Sequence, residues 1–233
     1  MSGNRTRPPE ADAAAAAPLR GTVLYVHGLW QTGVESFLLR RRLAAYGWKL
    51  RVLPYSSVGE RPESIARRCA REALRIAAST ALPVHLLGHS LGGLIIYRMF
   101  EMGLIEADRF SGDFCRAVFL GSPVRGTRCG LALSRWKHGR RLFGLAAAEL
   151  LDPQPREWRF PVQLGIIAGD LPAGLGRLVT ELEGDNDGTV AVVETRLPGM
   201  QAHCVLPVSH TGLLLSVAVA RRVARFLDQG RFN

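Results

Sequence analysis

The sequence predicts an α/β fold: a mainly parallel sheet of about six strands with helices on both faces. Three observations carry this. Short apolar, β-branched segments alternate with segments of helical periodicity, and such alternation imposes βαβ crossovers and parallel pairing. The strand segments are apolar nearly throughout, without polar alternation, as in strands covered on both faces. The chain has 233 residues, 47% hydrophobic and 21% charged, which suits one α/β domain whose core needs no disulfide staples.

The elements follow in order. Residues 1–18 read as a disordered tail, because the Ala13–Ala17 run is too short and too weakly apolar for a signal-peptide core and is preceded by Glu10 and Asp12. Thr22–His27 (TVLYVH) is a strand ended by Gly28. Val34–Tyr46 has helical apolar spacing, and Leu50–Tyr55 is the second strand. Pro62–Ser79 is a helix, with proline in its first turn and Ile65, Cys69, Ala73 and Ile76 on or near one face. Val84–Gly88 is the third strand, Leu91–Met102 a helix, Cys115–Gly121 the fourth strand, Val162–Ala168 the fifth and Met200–Val205 the sixth. Gly212–Asp228 closes the chain as an amphipathic helix. Residues 19–233 thus read as a single domain. Ser122–Pro161 is longer than one crossover requires, and residues 127–160 are expected to form a small helical cap. That stretch carries Trp136, Phe143 and Trp158 beside Arg135, Lys137, Arg140 and Arg141.

Composition excludes several classes. No apolar run approaches the roughly 18 residues of a membrane span. The net charge is +10, but the arginines are scattered, so a solvated basic surface is expected and not a nucleic-acid site. Arginines mixed with aromatics in residues 127–160 suggest contact with an anionic membrane surface. Cys69, Cys115, Cys129 and Cys204 are widely spaced with no CxxC pair, which argues against a zinc site and fits a reducing, cytoplasmic setting.

Gly88-His89-Ser90-Leu91-Gly92 fits G-x-S-x-G. Chance would supply about 0.14 such matches in this composition. Its position is more telling, because it lies where the third strand meets the next helix. A sharp strand-to-helix turn crowds its neighbours, and glycines two residues either side of the serine remove the clashing Cβ atoms. The helix start also turns unpaired N–H groups and the positive dipole end toward Ser90.

A serine hydroxyl needs a base to take its proton, and the base needs an orienting acid. In such a sheet both hang from loops at strand C-terminal ends. Among the histidines, only His203 and His210 follow the fifth strand. His203 falls inside the sixth strand and His210 just past it, so His210 is the expected base. Asp170, Asp185 and Asp187 are candidate acids, and Asp187, opening the turn Asp187-Gly188-Thr189-Val190, is preferred. The developing oxyanion needs two backbone donors. Leu91 N–H, directly after the serine, and Leu29 N–H, in the turn after the first strand, are the expected pair. Trp30 is a candidate for lining the pocket. Two carboxylates in the loop around Asn186 make a poor calcium site, and neither a metal nor a cofactor is expected.

The pieces VHGLW, GHSLGG, GSPVRGT, DNDGTV and SHTGLL, in this chain order, resemble the α/β-hydrolase superfamily over about residues 20–230. The closer resemblance is to bacterial lipase- and esterase-like serine hydrolases, including the branch similar to GPI inositol-deacylases. The two leading strands of larger members are absent, and residues 127–160 match nothing in the family's pattern. The resemblance implies a carboxylic-ester hydrolase acting on a small-molecule or lipid ester, with acyl transfer or thioester cleavage as the alternative and a non-catalytic binding protein as the remoter one.

Overall fold

The computed structural model describes residues 17–105, 115–127, 144–146, 155–173 and 184–233. Six strands form one parallel sheet: β1 (Gly21–Val26), β2 (Trp48–Val52), β3 (Val84–His89), β4 (Arg116–Leu120), β5 (Gln163–Gly169) and β6 (Ala202–Leu206). Their order is β2-β1-β3-β4-β5-β6, with every neighbouring pair parallel. The chain steps from β1 outward to β2, returns past β1 to β3, and then proceeds the other way to β6. Loops leaving the carboxyl ends of β1 and β3 therefore diverge, and a crevice opens at such a switch point in open α/β sheets.

The helices are α1 (Phe37–Ala45), α2 (Pro62–Ala78), α3 (Leu91–Glu101), α4 (Gly212–Leu215) and α5 (Val217–Gln229). Side chains alternate across the sheet and build two cores. Leu24, Val26, Leu86 and Phe119 pack on α2 and α3, whereas Val23, Tyr25, Leu87 and Val118 pack on α1, α4 and α5. α2 turns Ile65, Cys69, Ala73 and Ile76 inward at helical spacing.

Several boundaries differ from the sequence reading. β2 begins at Trp48 and stops at Val52, and Leu53 N–H still donates to the Tyr25 carbonyl at 2.8 Å before the chain leaves the sheet at Pro54. The first helical segment opens as a 3-10 turn, Val34–Ser36, entered through Gly33 at a φ of 93°. The last helix divides at Ser216, whose extended backbone interrupts the ladder and whose hydroxyl accepts the Val219 N–H. Cys115 lies in the core and Cys204 is half-buried. Cys69, Cys115 and Cys204 are free thiols, and Cys129 falls outside the described residues. No described helix is long and apolar enough to cross a membrane.

Most of residues 127–160 lies outside the described residues, including Trp136, Phe143 and the four basic residues of the expected cap. Trp158 is described and belongs to the core. It is 5% exposed, packs edge-on against Phe119 and Phe160, and donates Nε1–H to the Val162 carbonyl at 2.6 Å. The 3-10 turn Gly144–Ala146 rests on the β2–α2 loop, where Leu145 N–H donates to the Val58 carbonyl.

Candidate active site

Ser90 caps α3 at the β3–α3 turn with φ 53° and ψ −119°. A non-glycine residue held there costs on the order of 1–3 kcal/mol. The surrounding backbone enforces it: Ser90 N–H donates to the Leu120 carbonyl at 2.9 Å, and the Ser90 carbonyl accepts Gly93 N–H at 3.2 Å. A Cβ on Gly92 would lie 1.9 Å from the Val26 carbonyl oxygen, and one on Gly88 would lie 2.5 Å from the Gly93 nitrogen. No side chain fits at either position, as the turn argument requires.

Asp187 and His210 meet. The carboxylate sits in the loop after β5, only 1% exposed, and its Oδ2 accepts from His210 Nδ1 at 2.7 Å. Its Oδ1 accepts Thr189 N–H at 2.9 Å and Val190 N–H at 2.8 Å. His210 N–H donates to the Asp187 carbonyl at 2.8 Å, so base and acid are joined through backbone as well as side chain. This contact leaves His210 Nε2 as the ring's free nitrogen, suited to exchanging a proton. The carboxyl end of β4 closes against the pair: a Cβ on Gly121, at φ 55°, would lie 3.0 Å from Asp187 Oδ2 and 3.2 Å from His210 Nδ1.

Of the rival acids, Asp185 is exposed, and Asp170 directly follows β5 with its N–H donated to the Leu206 carbonyl. Of the rival bases, His203 lies on β6 against Thr195 Oγ1 at 2.9 Å, pushed down to about 4 by burial and then by Arg196. His85 is buried, accepts Arg116 N–H at Nδ1, and is pushed down to about 3 by burial and then by Arg116. His27 stacks on Tyr55 with ring centroids 4.0 Å apart, and burial lowers it. His138 falls outside the described residues.

The β1–α1 turn abuts the serine, since a Cβ on Gly28 would stand 3.1 Å from Ser90 Cβ. Leu29 is half-buried in this turn, and Leu91 is the first residue of α3, where N–H groups lack intrahelical partners. Gly28 N–H is already taken by Gln31 Oε1 at 2.6 Å. Trp30, at φ 59° and 59% exposed, stands at the rim with its N–H donated to Ser57 Oγ.

Sequence reasoning missed Gln31 and the part played by His89. His89 is buried between Gln31 Oε1, 3.0 Å from Nδ1, and the His210 carbonyl, 3.1 Å from Nε2. Its place before the serine was visible, but its partners lie 58 and 121 residues away, and no local pattern marks them. No cluster of three or more potential metal ligands occurs among the described residues.

Residues 23–228 match the alpha/beta hydrolase family. No curated protein sequence matches the chain. Among solved structures, the mature lipase of Bacillus licheniformis superposes with a TM-score of 0.69 at 17% identity, over 97% of this chain and 96% of that one. A metagenomic carboxyl esterase gives 0.60 at 15% identity, over 98% and 81%. A thioesterase from the prodiginine pathway of Streptomyces coelicolor gives 0.54 at 17% identity, over 95% of each chain. At these identities the likeness is one of fold.

Proposed function

The chain belongs to the alpha/beta hydrolase family, and on that footing we propose that it is a serine hydrolase cleaving carboxylic esters through an acyl-enzyme. In this reading Ser90 Oγ attacks the acyl carbonyl as His210 Nε2 takes its proton. Asp187 holds His210 Nδ1–H and stabilises the imidazolium that forms. Leu29 and Leu91 N–H groups receive the oxyanion. His210 returns the proton to the departing alcohol. Water, deprotonated by the same ring, then releases the acid and restores Ser90. The turn at Ser90 supplies the nucleophile elbow, and the three side chains form the triad.

The observation that carries the proposal is the buried Asp187–His210 contact at 2.7 Å, formed at the carboxyl end of the parallel strands, where Ser90 is forced into a strained turn. A buried carboxylate that orients an imidazole, at the same end of the sheet as a strained serine, suits acyl transfer. The substrate is read as a small-molecule or lipid ester, consistent with the lipase and carboxyl esterase of similar fold. Residues 19–233 are read as one domain, with 127–160 shaping the acyl side.

The test is a fluorophosphonate probe together with a p-nitrophenyl ester panel of graded chain length. Wild type should be labelled at Ser90 and turn over at least one ester, and Ser90→Ala should do neither. Labelling of Ser90→Ala at the wild-type level would overturn the assignment. Running an acyl thioester beside the panel identifies the thioesterase alternative, which a higher kcat/KM on that substrate would favour.

A further inference from the structure

Ser90 is preceded by a histidine whose ring the proposed mechanism does not use. His89 is 1% exposed, and both of its ring nitrogens face oxygen. Nδ1 lies 3.0 Å from Gln31 Oε1 and Nε2 lies 3.1 Å from the His210 carbonyl. The Gln31 oxygen is fixed in this place because it also accepts Gly28 N–H at 2.6 Å, so a flipped amide would set donor against donor. A continuous path therefore runs from Gly28 N–H to Gln31 Oε1, the His89 ring and the His210 carbonyl. It joins the β1–α1 turn, which carries the expected oxyanion donor Leu29, to the loop that carries the expected base.

We propose that His89, held between Gln31 and the His210 carbonyl, is a positioning residue that sets the oxyanion turn and the base loop in register across Ser90. The inference rests on the serine-hydrolase reading of this site. His210 is then tied at two points, its N–H to the Asp187 carbonyl and its Nδ1 to Asp187 Oδ2, and its carbonyl rests 3.1 Å from His89 Nε2. Only the free Nε2 is left to move a proton. On the other side, Gln31 takes up Gly28 N–H and closes the turn again through Gln31 N–H to the Gly28 carbonyl at 3.4 Å. The Leu29 N–H that follows is thereby left for a ligand. Burial, reinforced by His210 and His27, holds the His89 ring neutral. A neutral ring has one proton for two facing oxygens, so it donates to only one of them at a time, Gln31 Oε1 or the His210 carbonyl, and meets the other by packing contact; it spaces the two loops and does not serve as a second base. Reacting groups must be held to roughly 0.5 Å, and a shared strut between two loops achieves this where separate supports would let each drift.

The experiment is a double-mutant cycle on the full chain with Gln31→Met, His89→Leu and the double variant, and with His89→Gln as the conservative replacement. It reads kcat and KM on p-nitrophenyl acetate, the rate of fluorophosphonate labelling at Ser90, and thermal midpoints. Each single variant should lower kcat by about tenfold or more with KM within about twofold. The double variant should be no slower than the worse single, because the two residues act as one unit. His89→Gln, which still presents an N–H to the His210 carbonyl, should recover part of the loss. Labelling should slow in parallel while thermal midpoints do not track the kinetic losses. Independent, multiplying losses in the double variant would overturn the inference, as would a rise in KM with kcat unchanged. Absence of Ser90 labelling in the wild type would remove the reaction the strut serves and overturn both readings. Normal labelling with an additive cycle would overturn this one alone.

Discussion

Asp187 carries three hydrogen bonds on two oxygens while almost fully buried, and that distribution predicts what its amide would do. In Asp187→Asn the Oδ1 can still accept Thr189 and Val190 N–H, so the loop should hold. The amide nitrogen would then face His210 Nδ1, and the ring would move its proton to Nε2, where it can no longer receive one from Ser90. Turnover of p-nitrophenyl acetate should fall by about 10³–10⁴-fold with little change in thermal midpoint. Asp185→Asn and Asp170→Asn should stay within about tenfold, since neither is held to the His210 ring; a dead Asp170→Asn would move the acid to the end of β5. Gly92 gives a stability counterpart. The carbonyl that an alanine Cβ would meet at 1.9 Å belongs to Val26, the last residue of β1, an interior strand of the sheet. Gly92→Ala should therefore cost about 3 kcal/mol or more in urea unfolding, with the turn at Ser90 lost first.

Among the elements, the segment between β4 and β5 contributes Trp158 to the core. Trp158 belongs to the aromatic cluster with Phe100, Phe119 and Phe160 under α3, and not to the cap the sequence suggested. Trp158→Ala should lower stability by about 3–5 kcal/mol and leave the relative rates on short and long esters unchanged. Trp136 and Phe143 carry the cap expectation instead. If residues 127–160 line the acyl pocket, Trp136→Ala with Phe143→Ala should shift chain-length preference, since each added methylene is worth roughly 0.8 kcal/mol when buried. A chain-length profile that follows Trp158 and not Trp136 would reverse these roles.

At the scale of the whole molecule, the buried His85 and the half-buried His203 contribute to the acid limb of stability. His85 falls from 6.5 to about 3 on folding and His203 from 6.5 to about 4. Between those values the unfolded chain binds protons that the folded one refuses, so stability falls as the solution is acidified below about 6.5 and is insensitive to these groups above it. His85→Asn keeps an acceptor for Arg116 N–H and removes the titrating ring. Urea midpoints measured from pH 7 to 4 should decline less steeply for this variant than for wild type, whatever its midpoint at pH 7; an unchanged slope would show that His85 does not control the limb.

Strand and helix alternation, the glycine-flanked Ser90 and the order of Asp187 and His210 along the chain were all legible in the sequence, because each is a local pattern. Apolar runs declare buried strands, and a strand-to-helix junction this tight admits only glycine two residues either side of its serine. The choice among three aspartates rested on a turn signature alone, and only the tertiary structure brought Asp187, and neither Asp170 nor Asp185, within 2.7 Å of His210. The core position of Trp158 also depended on packing between distant segments. Gln31 and His89 show the limit most plainly. Hydrogen-bond partners 58 and 121 residues apart leave no periodicity, spacing or composition in the chain, since a side chain buried at a crevice is selected by the three surfaces that meet there and not by its neighbours in sequence.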